Sequence, residues 1–217
     1  MRNMQDQSIL TEVVTNPRGV YEGNLKRYFR IFFMSVSTRN PYHNFRHVMH
    51  VLCMCYRACR FYKLLLTPRE MRNLLIAALF HDFNHHGTKG DDSVNIRAAI
   101  NTLRNHVLEE DVQWLSDIET LIRHTEFPHI GETKKLRLSG QILRDADLSQ
   151  ALDPIWLQQV IFGLSVELEI TPLEMLSEQE TFLRKLKFVT IWAKTEFPRA
   201  TILAKIAEAR ALVALFK

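Results

Sequence analysis

Leu74-Leu75-Ile76-Ala77-Ala78-Leu79-Phe80-His81-Asp82 is an apolar run that leads directly into a histidine and an aspartate. Just upstream, Thr67-Pro68-Arg69-Glu70 supplies a capping threonine, a proline at the first helical position and a capping-box glutamate, which together predict a helix start. The chain is therefore predicted to form a buried helix that ends in His81 and Asp82. Because burying these polar groups without partners is costly, we expect them to share a cation.

The helical pattern extends over nearly the whole chain, and it predicts an all-α fold. Glycine and proline number only 7 each, too few to punctuate the many short strands of an all-β protein. With 217 residues and no low-complexity linker, residues 1–217 are predicted to form a single compact domain. Apolar residues recur at helical spacing, and helices are predicted near residues 22–38, 44–64, 68–82, 91–107, 110–125, 133–150, 154–169, 178–196 and 199–216.

Composition and charge exclude several classes of protein. No apolar run reaches the length of about 18 residues that a membrane span needs, so we expect no membrane partner. The N-terminal residues lack the apolar stretch of a secretory signal, which favours a cytoplasmic location. The formal charge of +4 is small and lacks interleaved exposed aromatic residues, so a nucleic-acid partner is not expected. Cys53, Cys55 and Cys59 are interpreted as reduced, buried thiols.

Two further segments carry side chains of the types that bind metals in proteins. In Pro41-Tyr42-His43-Asn44-Phe45-Arg46-His47 the two histidines lie one helical turn apart and share a face, so either both bind metal or one binds metal and the other moves a proton. In Asp145-Ala146-Asp147 only one carboxylate is expected to face the core, and the other is expected at the surface. Imidazole nitrogens and carboxylate oxygens from three segments are the donors that a two-metal hydrolytic site needs.

Together these segments resemble the HD-domain superfamily of metal-dependent phosphohydrolases, and most closely the catalytic domain of the class I 3′,5′-cyclic nucleotide phosphodiesterases. The resemblance runs from about residue 40 to residue 195 and implies a compact HD-domain, phosphodiesterase-like helical bundle. It rests on four motifs: Asn40-Pro41-Tyr42-His43-Asn44-x-x-His47, His81-Asp82-x-x-His85-x-Gly87, Ala146-Asp147-Leu148-Ser149, and Gln179-Glu180-Thr181-Phe182, which is similar to the QxxF element that holds the purine in that family.

The resemblance implies a metal-dependent enzyme that hydrolyses a 3′,5′-cyclic nucleotide to the 5′-monophosphate by means of metal-activated hydroxide. It implies two divalent metal ions, of Zn, Mg, Mn or Fe. The first ion would be bound by His47, His81, Asp82 and Asp147, and Asp82 would bridge to the second.

The resemblance also implies roles around the substrate. His43 would be the general acid that protonates the leaving 3′ oxygen, and His85 would hydrogen-bond metal-bound water or a phosphate oxygen. Tyr42 would line the phosphate side of the pocket. Gln179 would hydrogen-bond the edge of the base, and Phe182 would stack on it.

The chain departs from the family in two places. The family has a glutamate after the second motif, in a run like Ser-Val-x-Glu, whereas this chain has Ser93-Val94-Asn95-Ile96, so Asp91 or Asp92 is predicted to substitute. The family's Ala-Thr-Asp run finds its nearest match at His124-Thr125-Glu126. There, Thr125 could hold water of the second metal, or His124 could bind that metal directly.

Other functions stay open at this point. A general HD-domain phosphohydrolase would act on another nucleotide or phosphate ester, and a mixed-valence di-iron oxygenase would need a further ligand such as His124 or His106. A non-catalytic module would bind a nucleotide in the same cavity, which the missing glutamate favours. The proton donor predicted at His43 favours catalysis, because a binder needs none. His86, His106 and His129 are interpreted as exposed or capping residues.

Overall fold

The protein is described by a computed structural model that covers residues 2–35, 39–129 and 131–216, with side chains from residue 9 onward. These residues form helices and no strand, which confirms the predicted all-α class. The α-helices are α1 (Arg2–Thr15), α2 (Lys26–Phe33), α3 (Phe45–Phe61), α4 (Pro68–Phe80), α5 (Asp92–His106), α6 (Leu115–Arg123), α7 (Leu138–Leu148), α8 (Ser165–Glu167), α9 (Pro172–Lys185), α10 (Ile191–Glu196) and α11 (Arg199–Ala214). Short 3₁₀ helices span Glu109–Trp114, Thr133–Lys135 and Ser149–Leu152, and a π-helix spans Leu157–Leu164.

Helix α4 lies at the centre of the core, as its apolar sequence predicts. Every residue from Met71 to Phe80 is buried. Helix α3 packs against α4 and α7, and α4 also packs against α6. Each buried leucine or isoleucine of α4 stabilises the fold by about 1.5–3 kcal/mol relative to an exposed position. The polar residues that follow α4 are therefore attached to a rigid element.

Capping boxes begin two helices, and the first of them stands where the sequence predicts it. At the start of α4, the Thr67 side chain accepts a hydrogen bond from the backbone N–H of Glu70, and the Glu70 carboxylate accepts one from the N–H of Thr67. Thr171 and Glu174 repeat this arrangement at the start of α9. The helix predicted at 178–196 is consequently wrong in its bounds, because α9 begins at the second capping box and α10 is a separate helix.

Several other predicted helices are shorter or divided. The region predicted as 110–125 is a 3₁₀ helix followed by α6, and the region predicted as 133–150 is α7 flanked by two 3₁₀ helices. Of the predicted helix 22–38, the described part is α2, and residues 36–38 lie outside the described residues. Helix α1 is not predicted, because its polar first half shows no helical periodicity of apolar residues.

A smaller apolar cluster lies beside the main core, where α9 packs against α11 and against the π-helix. It consists of Trp156, Val160, Ile161, Met175, Leu176 and Ala209. Among the residues that the structure describes, no helix is both long enough and apolar enough to cross a membrane.

Candidate metal centre and active site

Four side chains from three helices meet at one point. His47 lies in the first turn of α3, His81 and Asp82 follow α4, and Asp147 lies near the end of α7. The Nε2 atom of His47 lies 3.0 Å from Oδ2 of Asp82 and 3.1 Å from Oδ1 of Asp147. The Nε2 atom of His81 lies 3.1 Å and 3.7 Å from the same two oxygens, and 3.3 Å from Nε2 of His47. The structure thus brings together the four residues that were predicted to bind the first metal, and together they form the donor cluster.

These distances fit a shared cation. Metal–ligand bonds of about 2.0–2.2 Å place neighbouring donor atoms about 3.0–3.5 Å apart. The Oδ2 atom of Asp82 is also buried and accepts no well-directed hydrogen bond within the described residues. A buried carboxylate oxygen without a donor is costly, and a cation would compensate it.

Outer hydrogen bonds aim both imidazoles at the carboxylates. The Nδ1–H of His81 donates to the carbonyl oxygen of Ala78 at 2.9 Å, and the Nδ1–H of His47 donates to Oε1 of Gln150 at 2.5 Å. Each bond fixes the hydrogen on Nδ1 and leaves the lone pair of Nε2 for a metal. The two Nε2 lone pairs and the two aspartate carboxylates repel one another at these distances. A positive charge among them would remove this repulsion.

The pKa values of His47, His81 and Asp82 point the same way. Burial acts to lower the pKa of His47, but Asp147 and Asp82 outweigh it and raise this pKa to about 9. Burial is likewise outweighed at His81, where Asp82 raises the pKa well above its ordinary value. Burial acts to raise the pKa of Asp82, yet His81 and His43 hold it well below its usual range. A divalent cation would supply the favoured positive charge and displace protons from the imidazoles.

His43 lies beside this cluster and is held by Glu167, which no sequence motif indicates. Its Nδ1 contacts Oε2 of Glu167. The backbone N–H groups of Tyr42 and His43 donate to Oε1 of Glu167 at 2.6 and 2.9 Å. Burial acts to raise the pKa of Glu167, but the hydrogen bond from His43 holds it below its usual value. The buried, ionised carboxylate therefore orients the ring of His43.

One sequence signal could have found Glu167. It is the sole charged residue between Asp153 and Glu169, in a mostly apolar stretch. A carboxylate in such a stretch needs a partner if it is buried. The sequence, however, does not say that the partner lies 124 positions away, at His43.

The loop that carries Tyr42 and His43 is fixed at several points. The side chain of Asn44 caps α3 by accepting hydrogen bonds from the N–H groups of Arg46 and His47. The Nδ2 atom of Asn40 donates to the carbonyl oxygen of His85 at 2.7 Å, which joins the first motif to the second. The two asparagines of the motif therefore hold the loop that carries its histidines.

His85 completes a second group of side chains with His43 and Glu167. Its ring stacks on that of His43 with the centroids 3.6 Å apart. Its Nδ1 accepts a hydrogen bond from the N–H of Gly87 at 3.0 Å, which leaves the hydrogen on Nε2. Burial and the neighbouring His43 lower the pKa of His85 to about 4, so the ring is neutral near pH 7.

Asp92, and not Asp91, faces this part of the site. Its Oδ1 lies 3.9 Å from Nε2 of His85. Asp91 instead caps α5 at the surface, where its side chain accepts a hydrogen bond from the N–H of Ser93. Burial raises the pKa of Asp92. Of the two candidates for replacing the missing glutamate, Asp92 has the suitable position.

Asp145 differs from its prediction. The acid of the pair that does not join the histidines was expected at the surface, but Asp145 is buried and accepts hydrogen bonds from the N–H groups of Val189 and Thr190 and from the Thr190 hydroxyl. The expectation fails because the carboxylate fixes the start of α10 instead of facing solvent. Asp147 is the acid of this pair that faces the two histidines.

His124 and Thr125 lie at the end of α6. The Thr125 hydroxyl donates to the carbonyl oxygen of Ile122, and the His124 carbonyl accepts from Nε of Arg144 at 2.5 Å. The Nδ1 atom of His124 is buried without a hydrogen-bond partner in the described part of the chain. A second-metal role for either residue stays a prediction. His129, interpreted as exposed or capping, is half-buried, and burial lowers its pKa.

The predicted substrate-binding residues occupy two regions. The ring of Tyr42 lies 4.7 Å from that of His43 and 4.8 Å from that of His47, centroid to centroid, so it borders the donor cluster. Gln179 lies buried on α9, where its Nε2 donates to the carbonyl oxygen of Met175 at 3.3 Å. Phe182 packs half-buried against the main core. Their roles at the nucleotide base stay predictions.

An all-α fold in which separate helices bring two histidines and two aspartates together is what the HD-domain resemblance implies. The model of the family described as 3'5'-cyclic nucleotide phosphodiesterase matches residues 42–112. This match confirms the resemblance to that family and implies a hydrolase. It includes His43, His47, His81 and Asp82, whereas Asp147 lies beyond it. No curated protein and no solved structure matches the chain.

Proposed function

We propose that this chain is a metal-dependent phosphodiesterase that hydrolyses a 3′,5′-cyclic nucleotide to the 5′-monophosphate. The observation that carries the proposal is the convergence of the Nε2 atoms of His47 and His81 on the carboxylate oxygens of Asp82 and Asp147. The match of residues 42–112 to the cyclic nucleotide phosphodiesterase family supports the reaction and the class of substrate. We also propose that residues 1–217 form one domain around this site.

His47, His81, Asp82 and Asp147 would hold the first divalent ion, and Asp82 would bridge to a second. When bound, such ions supply Lewis-acid activation of water and neutralise charge on the phosphoryl oxygens. The chain's part in this step is to fix the donors. The hydrogen bonds from His47 to Gln150 and from His81 to Ala78 hold both rings in the orientation that presents Nε2.

His43 would protonate the 3′ oxygen as it leaves. Because its Nδ1–H is held by Glu167, the proton available for transfer is one on Nε2. A proton donor in a fixed orientation beside the leaving group typically accelerates such a reaction by about 10²–10⁴-fold.

His85 would act as a neutral hydrogen-bond donor. Its Nδ1 is occupied by the N–H of Gly87, so its Nε2–H can donate to a water or to a phosphate oxygen. Asp92, beside Nε2 of His85, would take the place of the family's glutamate.

Gln179 and Phe182 would bind the base. The Oε1 atom of Gln179 is buried and has no hydrogen-bond partner in the residues described. It is therefore an acceptor that an amino group of a purine would satisfy. Binding would require the amide to turn away from Met175, to which its Nε2 now donates.

The proposal is tested by metal analysis of the purified protein, followed by separation of products after incubation with cyclic AMP and cyclic GMP. We expect bound divalent metal and a 5′-monophosphate product. Asp82→Ala should lose both metal and turnover. Asp117→Ala, which removes an exposed carboxylate from α6, is the matched control and should retain both. If Asp82→Ala hydrolysed the cyclic nucleotide at the parent rate, the proposed metal centre would be wrong.

A second variant separates an enzyme from a nucleotide-binding module. His43→Ala should abolish turnover while metal content and nucleotide affinity stay near the parent values, because the proton donor is needed only in the reaction. A parent protein that binds cyclic nucleotide and releases no monophosphate would contradict the proposed activity.

A further inference from the structure

A second cavity lies at the opposite end of α3 from His47. Its volume is about 710 Å³, within the range of about 300–1,000 Å³ that small-molecule sites occupy. Because an α-helix rises about 1.5 Å per residue, Arg60 at this end lies about 20 Å from His47 along the axis of α3. The cavity is therefore separate from the candidate active site.

The floor of this cavity is apolar. Leu66, Met71 and Trp192 line it and are nearly inaccessible to solvent. Phe61, which is half exposed, forms a wall at the end of α3. These side chains offer a flat apolar surface to the body of a ligand.

The rim of the cavity is cationic. Arg57 and Arg60 lie three positions apart on one face of α3, and Arg18 and Lys63 join them. Four positive charges thus surround an apolar floor.

Within the part of the chain that the structure describes, two carboxylates oppose these charges. Glu196 lies 2.6 Å from Nη2 of Arg57, and Glu12 lies 3.5 Å from Nε of Arg18 and 3.9 Å from Nη1 of Arg60. Lys63 forms no ion pair within the residues described. The cavity keeps an excess of positive charge that an anionic ligand would neutralise.

The ion pairs at the rim do not prevent such a ligand from binding. The side chains of Arg57 and Arg60 are 41% and 48% exposed, and exposed ion pairs are weak. An incoming anion can therefore take the place of a carboxylate. Guanidinium groups match phosphate and carboxylate geometry with two parallel hydrogen bonds.

We propose that this cavity binds a small organic anion with a phosphate or carboxylate head and a flat apolar body. The head is held by Arg57, Arg60 and Lys63, and the body lies on the floor formed by Met71 and Trp192. This site does not depend on the proposed function of the metal centre, since it shares no residue with it.

The test is calorimetric titration of the full chain with 1-naphthyl phosphate, compared with inorganic phosphate and with 1-naphthol. We expect 1-naphthyl phosphate to bind at least tenfold more tightly than either fragment, because only it has both parts. The double variant Arg57→Gln/Arg60→Gln should weaken binding of 1-naphthyl phosphate at least tenfold. Lys63→Gln, a single change at an exposed side chain, should weaken it in the same direction by a smaller factor.

The matched control is Arg184→Gln/Arg210→Gln, which changes two exposed arginines that share Glu180 elsewhere on the surface. It should bind 1-naphthyl phosphate as the parent does. Asp82→Ala should also keep this binding, and Arg57→Gln/Arg60→Gln should keep the parent rate of cyclic nucleotide hydrolysis. These two results separate the cavity from the metal centre.

Three outcomes would overturn the proposal. One is equal binding by the parent and by both the Arg57→Gln/Arg60→Gln and Lys63→Gln variants. Another is loss of binding in Asp82→Ala alone, which would assign the probe to the metal centre. The third is binding to phosphatidylserine vesicles without binding to the soluble probe, which would assign Leu64 and Leu65, 90% and 71% exposed beside Lys63, to a lipid contact.

Discussion

His43 depends on one distant residue for its orientation. Glu167 accepts hydrogen bonds from the ring of His43 and from two backbone N–H groups of the same loop. It therefore fixes both the position of the loop and the direction of the ring. An imidazole that is free to rotate would present its proton to the leaving group only part of the time, so Glu167 matters to the rate although it touches no substrate in the proposed mechanism.

Glu167→Gln tests this dependence. The amide keeps the size of the side chain but removes its negative charge and one of the two oxygens that accept hydrogen bonds from the loop. We expect kcat for the cyclic nucleotide to fall on the order of 100-fold with little change in KM, because the interaction acts in the reaction more than in binding. Steady-state kinetics measure kcat and KM separately.

Glu169→Gln is the matched control, because Glu169 lies two positions away and is exposed. It should leave kcat and KM unchanged. A Glu167→Gln enzyme with the parent kcat would show that the reaction does not depend on this contact.

The sequence predicts the four side chains that meet in the candidate metal centre better than the residues that orient them. It singles out His47, His81, Asp82 and Asp147 because their residue types and their place at the ends of apolar helices indicate buried donors. Gln150 and Glu167 lie 103 and 124 positions from the histidines that they contact. Such contacts depend on how distant helices pack, which a single sequence does not encode locally.

At the scale of elements, the π-helix Leu157–Leu164 positions the carboxylate that holds His43. Gly163 lies inside it, and a Cβ atom added there would lie 2.5 Å from the carbonyl oxygen of Pro41. The contact is with backbone, which cannot move aside without moving the loop. The glycine therefore permits the close approach that lets Glu167 reach His43.

Gly163→Ala should separate these two elements. Overpacking of this kind costs about 1–3 kcal/mol of unfolding free energy. We expect a matching fall in stability and a lower kcat, while metal content stays at the parent level because the donor cluster is built on α3, α4 and α7. Chemical denaturation, metal analysis and kinetics on one preparation measure the three quantities.

Gly90→Ala is the control, because a Cβ atom there would meet no atom within 4 Å. It should change neither stability nor rate by a comparable amount. An unchanged kcat in Gly163→Ala would show that the loop does not need this close contact.

The elements themselves were predictable where their signals are local. Both capping boxes begin helices, because threonine, proline and glutamate act within one turn. The π-helix and the division of the 110–125 region were not predicted, because their turns depend on tertiary packing. The extended prediction at 178–196 missed the break between α9 and α10, which Asp145 stabilises from another helix.

At the scale of the whole molecule, a buried charge network joins helices outside the candidate metal centre. Asp111 is fully buried and accepts hydrogen bonds from Arg69 and Arg72 of α4 and from the hydroxyl of Tyr28 of α2. Arg72 also donates to the carbonyl oxygens of Glu22 and Asn24. The network fixes the 3₁₀ helix Glu109–Trp114 and α2 to the central helix.

Asp111→Asn should lower the free energy of unfolding by about 3 kcal/mol at pH 7, because it leaves Arg72 buried without its charged partner.

The pH dependence of the free energy of unfolding gives the sharper result. Burial acts to raise the pKa of Asp111, but Arg72, Arg69 and Tyr28 hold it below its usual value. In the unfolded chain the pKa of this carboxyl is about 3.9, so unfolding takes up a proton between that pH and the lower pKa of Asp111 in the folded protein. The stabilisation is complete above that pH and is lost as the pH falls through the folded pKa. Urea unfolding between about pH 6 and pH 2 should show a shallower decline of stability for Asp111→Asn than for the parent, and an unchanged decline for the exposed control Asp117→Asn. Parallel curves for the parent and Asp111→Asn would mean that the acid sensitivity of the fold arises from other carboxylates.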